Sequence, residues 1–281
     1  MSQIDRFFER HGPAYKWYAT GTIMVATISV VLSTTIVNVA IPAVMGAFGI
    51  SSVQAQWIST GFLAAMTATM LLADWANRAF GMRLTMITAM GIFLAGSVLG
   101  GLAPNETVLT LARVVQGAAA GVVQPLAMIM LFKVFPPDKR GAAMGIYGVG
   151  VVLAPALGPW IGGVLMDAFD WRFVFYLGLP FAGLAILMSN LFLPSREESG
   201  PIPAFDFVGV AILSVFLAVL LSTLSNAQRL GWESNIILAG FTISAVSAFA
   251  FVRAPSRRRR TRRRRRRGRR SARRRRSRPR R

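Results

Sequence analysis

The side chains able to do chemistry in this chain are few, and most of them interrupt long apolar runs. Arg113, Gln116 and Gln124 stand in the run 108–131; Ser33, Thr34, Thr35 and Asn38 form a polar patch in 17–42; Asp74 and Arg78 lie one helical turn apart. Such groups can hydrogen-bond a solute, hold a charge inside hydrocarbon or pass a proton. Covalent chemistry has little to work with. There is no cysteine, and the one histidine, His11, lies in a polar leader where it is expected to be solvated. The sequence shows no metal-ligand cluster, histidine-paired nucleophile or glycine-rich phosphate loop. An enzyme is therefore the class least supported, and neither a metal nor a cofactor is expected.

A guanidinium within a bilayer costs about 2.5–3.5 kcal/mol on an insertion scale unless it faces protein or water. Arg113 should therefore point into a bundle; the alternative is an arginine that snorkels to the interface from near the start of its run. At helical spacing Gln116, Ala120 and Gln124 share one face, and Arg113, Gly117, Gly121 and Pro125 the next. Thr34 and Asn38 also share a face. Hydroxyls can bond back to the preceding turn, so self-satisfaction and solute contact are equally open for the serine and threonines. The Asn38 amide has no such easy local partner and should look inward. Asp74 and Arg78, acid first, are expected to form a local ion pair, read first as an anchor for a helix end.

The elements that carry these groups must be membrane spans. The sequence is 54% hydrophobic and 15% charged with a mean hydropathy of +0.51, less charged than a soluble domain of this length. Its 281 residues accommodate roughly eight spans of about 20 residues. Their expected limits are 17–42, 56–76, 84–103, 108–131, 142–166, a sixth ending near Leu193, 206–225 and 235–252, with a turn containing Arg229, Gly231 and Trp232 before the last. Arg6, Arg10, Lys16, Arg78, Arg83, Lys133, Lys139, Arg140 and Arg196 fall on the leader side and only Arg172 and Arg229 on the other. By the positive-inside rule the leader is cytoplasmic, and an even number of spans returns the tail to the same side.

The fifth run holds a stripe of small residues. Gly150, Ala154, Gly158 and Gly162 recur every four residues, a face that lets a second helix approach closely. Pro155 and Pro159 lie on a neighbouring face; each removes a donor and presses on the carbonyl one turn earlier, so a bent or loosened helix is expected. A tightly packed structural helix also satisfies this spacing.

Ala154-Pro155-Ala156-Leu157-Gly158-Pro159-Trp160-Ile161-Gly162-Gly163 resembles the fifth-helix antiporter motif of major facilitator superfamily drug exporters. Leu111-Ala112-Arg113-Val114-Val115-Gln116-Gly117 is similar to the superfamily's fourth-helix motif, and 32–42 resembles the first-helix signature of fourteen-span drug/proton antiporters, with Ser33 where that family has aspartate. The stretch 74–83 resembles the short cytoplasmic loop after the second helix: Gly81 and Arg83 keep its pattern, while Asp74 replaces a glycine and Arg78 an acid. Trp171 to Tyr176 with Pro180 resembles the start of the sixth helix, and Phe205-Asp206-Phe207-Val208-Gly209 the opening of the helix pair that those exporters insert between their halves.

The resemblance covers roughly 15–253 and implies an all-α polytopic membrane protein. Its parts would be a cytoplasmic leader 1–16, a six-helix N-terminal bundle 17–193, a linker 194–205, two additional transmembrane helices 206–252 and an arginine-rich tail 253–281. It implies an exporter of lipophilic or cationic small molecules in the bacterial cytoplasmic (inner) membrane, with a proton gradient as energy source. The implied substrate cavity is Thr34, Asn38, Trp57, Gln116 and Gln124. Coupling or gating would fall to Arg113, Asp74, Arg78, Pro155, Gly158, Pro159 and Gly162. Ser33 cannot titrate, which leaves Asp74 as the acid near the bilayer.

Of the 32 lysines and arginines, 20 are arginines at or beyond Arg253, leaving 12 basic residues against all 11 acids in 1–252. The tail cannot form a core and should be disordered. The family's second six-helix half does not follow the inserted pair, and an arginine tract there suggests a shifted reading frame or an early stop. Alternating access rocks one bundle against another, so transport would need self-association or a separate C-terminal half; an inactive half-transporter is the other outcome. The alternative reading is a membrane-anchored polybasic protein that binds anionic lipid or nucleic acid nonspecifically. Without interleaved aromatics in the tail, a nucleic-acid partner is not expected.

Overall fold

The computed structural model describes residues 3–196, 205 and 207–253, apart from the side chains of residues 228, 229 and 252. Among them every regular element is helical. The apolar runs become long helices: α1 (Gln3–His11), α2 (Tyr15–Phe48), α3 (Ser52–Met70), α4 (Leu72–Phe80), α5 (Met82–Gly101), α6 (Glu106–Val134), α7 (Arg140–Ala168), α8 (Phe173–Tyr176), α9 (Gly178–Phe192), α10 (Phe207–Leu230) and α11 (Asn235–Arg253). Six of these, with α1 joined to α2 and α8 to α9, are long and apolar enough to cross a bilayer. The pair α3 and α4, bent by 54° at its break, is long and apolar enough for a seventh crossing when the two are taken together as one span. The expected eighth, α11, is a shorter apolar helix. The linker 197–204, Asp206 and the arginine tail beyond Arg253 lie outside the described residues.

Local chemistry sets several of the ends. Ser51 and Gln54 form a reciprocal capping box at the start of α3, and Asn105 accepts from the Val108 N–H to start α6. α2 does not stop at Pro42 as expected. That proline lacks only the donor for the Asn38 carbonyl, and the helix continues to a left-handed Gly49 (φ +64°) whose N–H bonds the Met45 carbonyl. The second span breaks at Leu71, so Asp74 and Arg78 stand on α4 and the expected loop shrinks to the turn at Gly81 (φ +86°). α10 runs on to Leu230, which takes Arg229 into the helix rather than the turn. α7 is unbroken through Pro155 and Pro159.

The bundle packs α6 centrally against α3 and α5, with α2 against α7, α9 and α6, and the pair α10–α11 on the α3 side. Two apolar clusters form along the bundle. The leader-side cluster holds Tyr15, Ile23, Phe62, Met86, Phe93 and Leu126, and the far-side cluster Ile36, Val44, Ile58, Leu109, Trp171 and Phe175. Burial of each such side chain stabilises by about 1.5–3 kcal/mol in water, whereas in lipid the gain comes from close packing.

The leader folds onto the bundle. Ile4, Phe7 and Phe8 of α1 pack against the leader-side core, and Asp5, Arg6, Glu9 and Arg10 face outward. His11, expected in solvent, is half-buried among the rings of Phe7, Tyr15, Tyr18 and Phe192, because i, i+3, i+4 and i+7 spacing gives α1 an apolar face that needs cover. The fully buried Tyr15 donates its hydroxyl to the Phe192 carbonyl at 3.0 Å, tying the start of α2 to the end of α9.

Candidate functional site

Between the two apolar clusters lies a layer of polar side chains centred on Arg113. This residue sits seven positions into α6, about 10 Å from its first residue, and is only 1% exposed, so it does not snorkel. Its Nη1 donates to Ser33 Oγ at 3.0 Å and to Gln116 Oε1 at 2.9 Å. Gln116 Nε2 donates to Ser97 Oγ at 2.8 Å, and the Ser97 hydroxyl donates to the Phe93 carbonyl at 3.0 Å. The guanidinium also lies 4.1 Å from the centre of the Phe62 ring. Its Nε has no hydrogen-bond partner.

No carboxylate pairs with this cation among the described residues. Asp74–Arg78 and Asp170–Arg172 are ion pairs elsewhere, both with exposed side chains. A buried charge without a counter-ion costs several kcal/mol, and neutral acceptors and a ring face offset only part of that.

Glycines let the helices come close enough to build the layer. A Cβ on Gly117 would strike the backbone of Phe62, one on Gly121 the carbonyl of Met66, and one on Gly96 would come 2.7 Å from Gln116 Cγ. The expected face of Arg113, Gly117 and Gly121 is therefore the one seated on α3. Of the expected stripe on α7, Ala154, Gly158 and Gly162 are buried and Gly150 is half-buried against Met24, and Gly158 and Gly162 meet Thr35 and Ile36 of α2. Pro155 is half-buried and Pro159 exposed, beside Val152 and Trp160, each 70% exposed.

The expected cavity residues separate into distinct settings. Gln116 is 1% exposed, with both ends of its amide engaged in the Arg113 layer. Thr34 bonds back to the Val31 carbonyl at 2.6 Å and is half-buried. Asn38 is exposed and accepts from Ser59 Oγ at 3.0 Å, linking α2 to α3. Trp57 and Gln124 are half-buried on α3 and α6. Asp74 and Arg78 form the two-point ion pair, at 2.8 and 2.9 Å.

Sequence reasoning missed three contributors. Tyr147 of α7 meets Thr27 of α2 at 3.1 Å. Arg83 donates from Nε to the Leu193 carbonyl at 2.8 Å, and Arg140 from Nη2 to the Phe132 carbonyl at 2.8 Å, so each caps the carbonyl end of another helix. Arg83 was visible only as part of a motif, since its partner lies 110 residues away.

Residues 23–272 match the pattern of the Major Facilitator Superfamily. The chain is 32% identical to the multidrug export protein EmrB of Haemophilus influenzae, over 83% of this chain and 46% of that protein. It is also 32% identical to the multidrug transporter protein MdtP of Bacillus subtilis, over 85% and 44%. The chain thus spans under half the length of these relatives. Among solved structures it is similar to the peptide transporter POT in complex with sulfate, with a TM-score of 0.61 and 19% identity over 86% of this chain and 53% of the other. The proton:xylose symporter XylE gives a TM-score of 0.57 with 12% identity over 86% and 55%; at these identities the likeness is one of fold. Together with the helical bundle and its apolar spans, the sequence match over most of the chain means that this protein belongs to the major facilitator superfamily.

Proposed function

We propose that the chain forms one half of an exporter of lipophilic or cationic small molecules, driven by the proton gradient across the bacterial cytoplasmic (inner) membrane. The N-terminus and the tail lie on the cytoplasmic side. The domain division is the one expected above, with the bundle 17–193 as the transporting part and 206–252 as a lateral pair. The observation that carries this reading is the buried Arg113, held by neutral groups between two apolar clusters. A structural bundle has no use for such a cost, whereas a carrier uses a cation that a proton-bearing or negative group can approach and leave in turn. Thr34, Asn38, Trp57 and Gln124 supply contacts for the solute, and the α2–α7 seam at Gly158 and Gly162 is the surface on which the helices slide. The Asp74–Arg78 pair acts at the leader-side edge, opening and closing with the bend of α4. A complete pathway needs a second bundle, from a second copy of the chain or from a separate C-terminal half.

The test is dye accumulation in an efflux-deficient bacterium expressing the chain, a version ending at Val252, and Arg113→Ala, with membrane levels measured by immunoblot. Reduced accumulation with the first two and loss of that reduction with Arg113→Ala support the proposal. No reduction despite good expression means that the chain is inactive as a half-transporter, and unchanged efflux in Arg113→Ala removes Arg113 from the mechanism.

A further inference from the structure

A groove of about 440 Å³ lies where α3 breaks into α4, against α5 and α6. Its walls are apolar and include Trp75, Phe80, Leu84, Ile92 and Ala118. The hydroxyls of Thr69 and Thr85 in these walls are spent on carbonyls of their own helices, so neither proton is free for a ligand. From Leu84 to Ile92 the groove follows about 12 Å of helix axis. Leu84, Thr88 and Ile92 are exposed along it on the outer surface of α5.

At the Phe80–Leu84 end this groove meets a second cavity, of about 860 Å³, of which those two side chains are also walls. Asn190, Ser195, Arg83 and Arg196 make it polar, and among the described residues its charged lining is arginine only. Arg83 is half-buried and fixed in place: its Nε donates to the Leu193 carbonyl, and its backbone N–H donates to the Pro194 carbonyl at 3.0 Å. Neither bond uses its Nη groups. A narrow apolar groove that ends in a positive, polar pocket at the leader-side edge of the bundle fits one kind of molecule in both shape and charge.

We propose that this composite cavity binds an anionic glycerophospholipid of the surrounding bilayer, with the phosphate at Arg83 and one acyl chain along Leu84, Thr88 and Ile92. The bound chain fills the space beside the break at Leu71 and so supports the bent span. This site stands apart from the Arg113 layer and does not depend on transport.

The full chain, purified in detergent, is exposed to phosphatidylglycerol carrying a photoreactive diazirine in one acyl chain, and labelled peptides are mapped. The matching phosphatidylcholine analogue is the neutral control. Label is expected in the peptides holding Leu84 to Ile92 and Ala118 to Val122, several-fold above that from phosphatidylcholine. Thr88→Trp, at an exposed position, fills the groove and should abolish this label while leaving any label on the arginine tail unchanged. Arg83→Gln should lower it about fivefold, the equivalent of roughly 1 kcal/mol for one cation beside an anionic head. If Arg83→Gln fails to fold, Thr88→Trp carries the test. Equal labelling by phosphatidylcholine, label confined to the tail, or unchanged labelling in Thr88→Trp overturns the proposal.

Discussion

Arg113 Nη1 on α6 lies 3.0 Å from Ser33 Oγ on α2, so a fully buried cation rests on a neutral hydroxyl. The same nitrogen reaches Gln116 Oε1, while Nε has no hydrogen-bond partner. This arrangement costs stability, and the costs separate the roles of the residues that share it.

Arg113→Met removes the charge and keeps much of the volume. Because an uncompensated buried ion is destabilising by several kcal/mol, the melting temperature of the purified protein should hold or rise while dye efflux is lost. A clearly lower melting temperature with wild-type efflux would assign Arg113 to structure instead.

Ser33→Asp places a carboxylate beside the guanidinium. With Arg113 present the change should be neutral or stabilising, whereas in the Arg113→Met background the same carboxylate is buried alone and should cost about 3–5 kcal/mol. Unfolding measurements on the two single variants and the double variant form a cycle. Additive effects would mean that the two side chains do not meet.

Gly117→Ala forces a methyl group against the backbone of Phe62, and Gly163→Ala meets nothing within 4 Å. Overpacking of this kind typically costs about 1–3 kcal/mol. The first variant should therefore melt well below the second, and equal melting temperatures would contradict the close seating of α6 on α3.

Tyr15→Phe deletes one hydrogen bond, to the Phe192 carbonyl, at a fully buried site. A loss of about 0.5–1.5 kcal/mol is expected. Phe7→Ala should add to it, since Phe7 stacks on Tyr15 with ring centres 5.0 Å apart; a leader that could be altered at both positions without effect would not be part of the folded bundle.

Much of this protein can be read along the chain because transfer into hydrocarbon is additive over local stretches. Apolar runs of the right length locate the spans, the cost of a buried guanidinium turns Arg113 inward, and one-turn spacing pairs Asp74 with Arg78. Small residues four apart mark the buried stripe of α7. None of these inferences needs to know what lies on the other side of the helix.

Partners and bends depend on what lies there. Gln116 has the same type and spacing as a solute ligand; its bond from Arg113 is local to α6, and only the approach of α5, allowed by Gly96, gives its Nε2 the partner Ser97. His11 looks solvated until α1 folds its aromatic face onto Tyr15 and Phe192. Arg83 finds its carbonyl 110 residues away, and Asn38 meets Ser59 on a neighbouring helix. The break at Leu71 carries neither proline nor glycine. Hydrogen-bond partners and helix bends are set by which helices are neighbours, and that choice is made by packing over the whole bundle rather than by any one stretch of sequence.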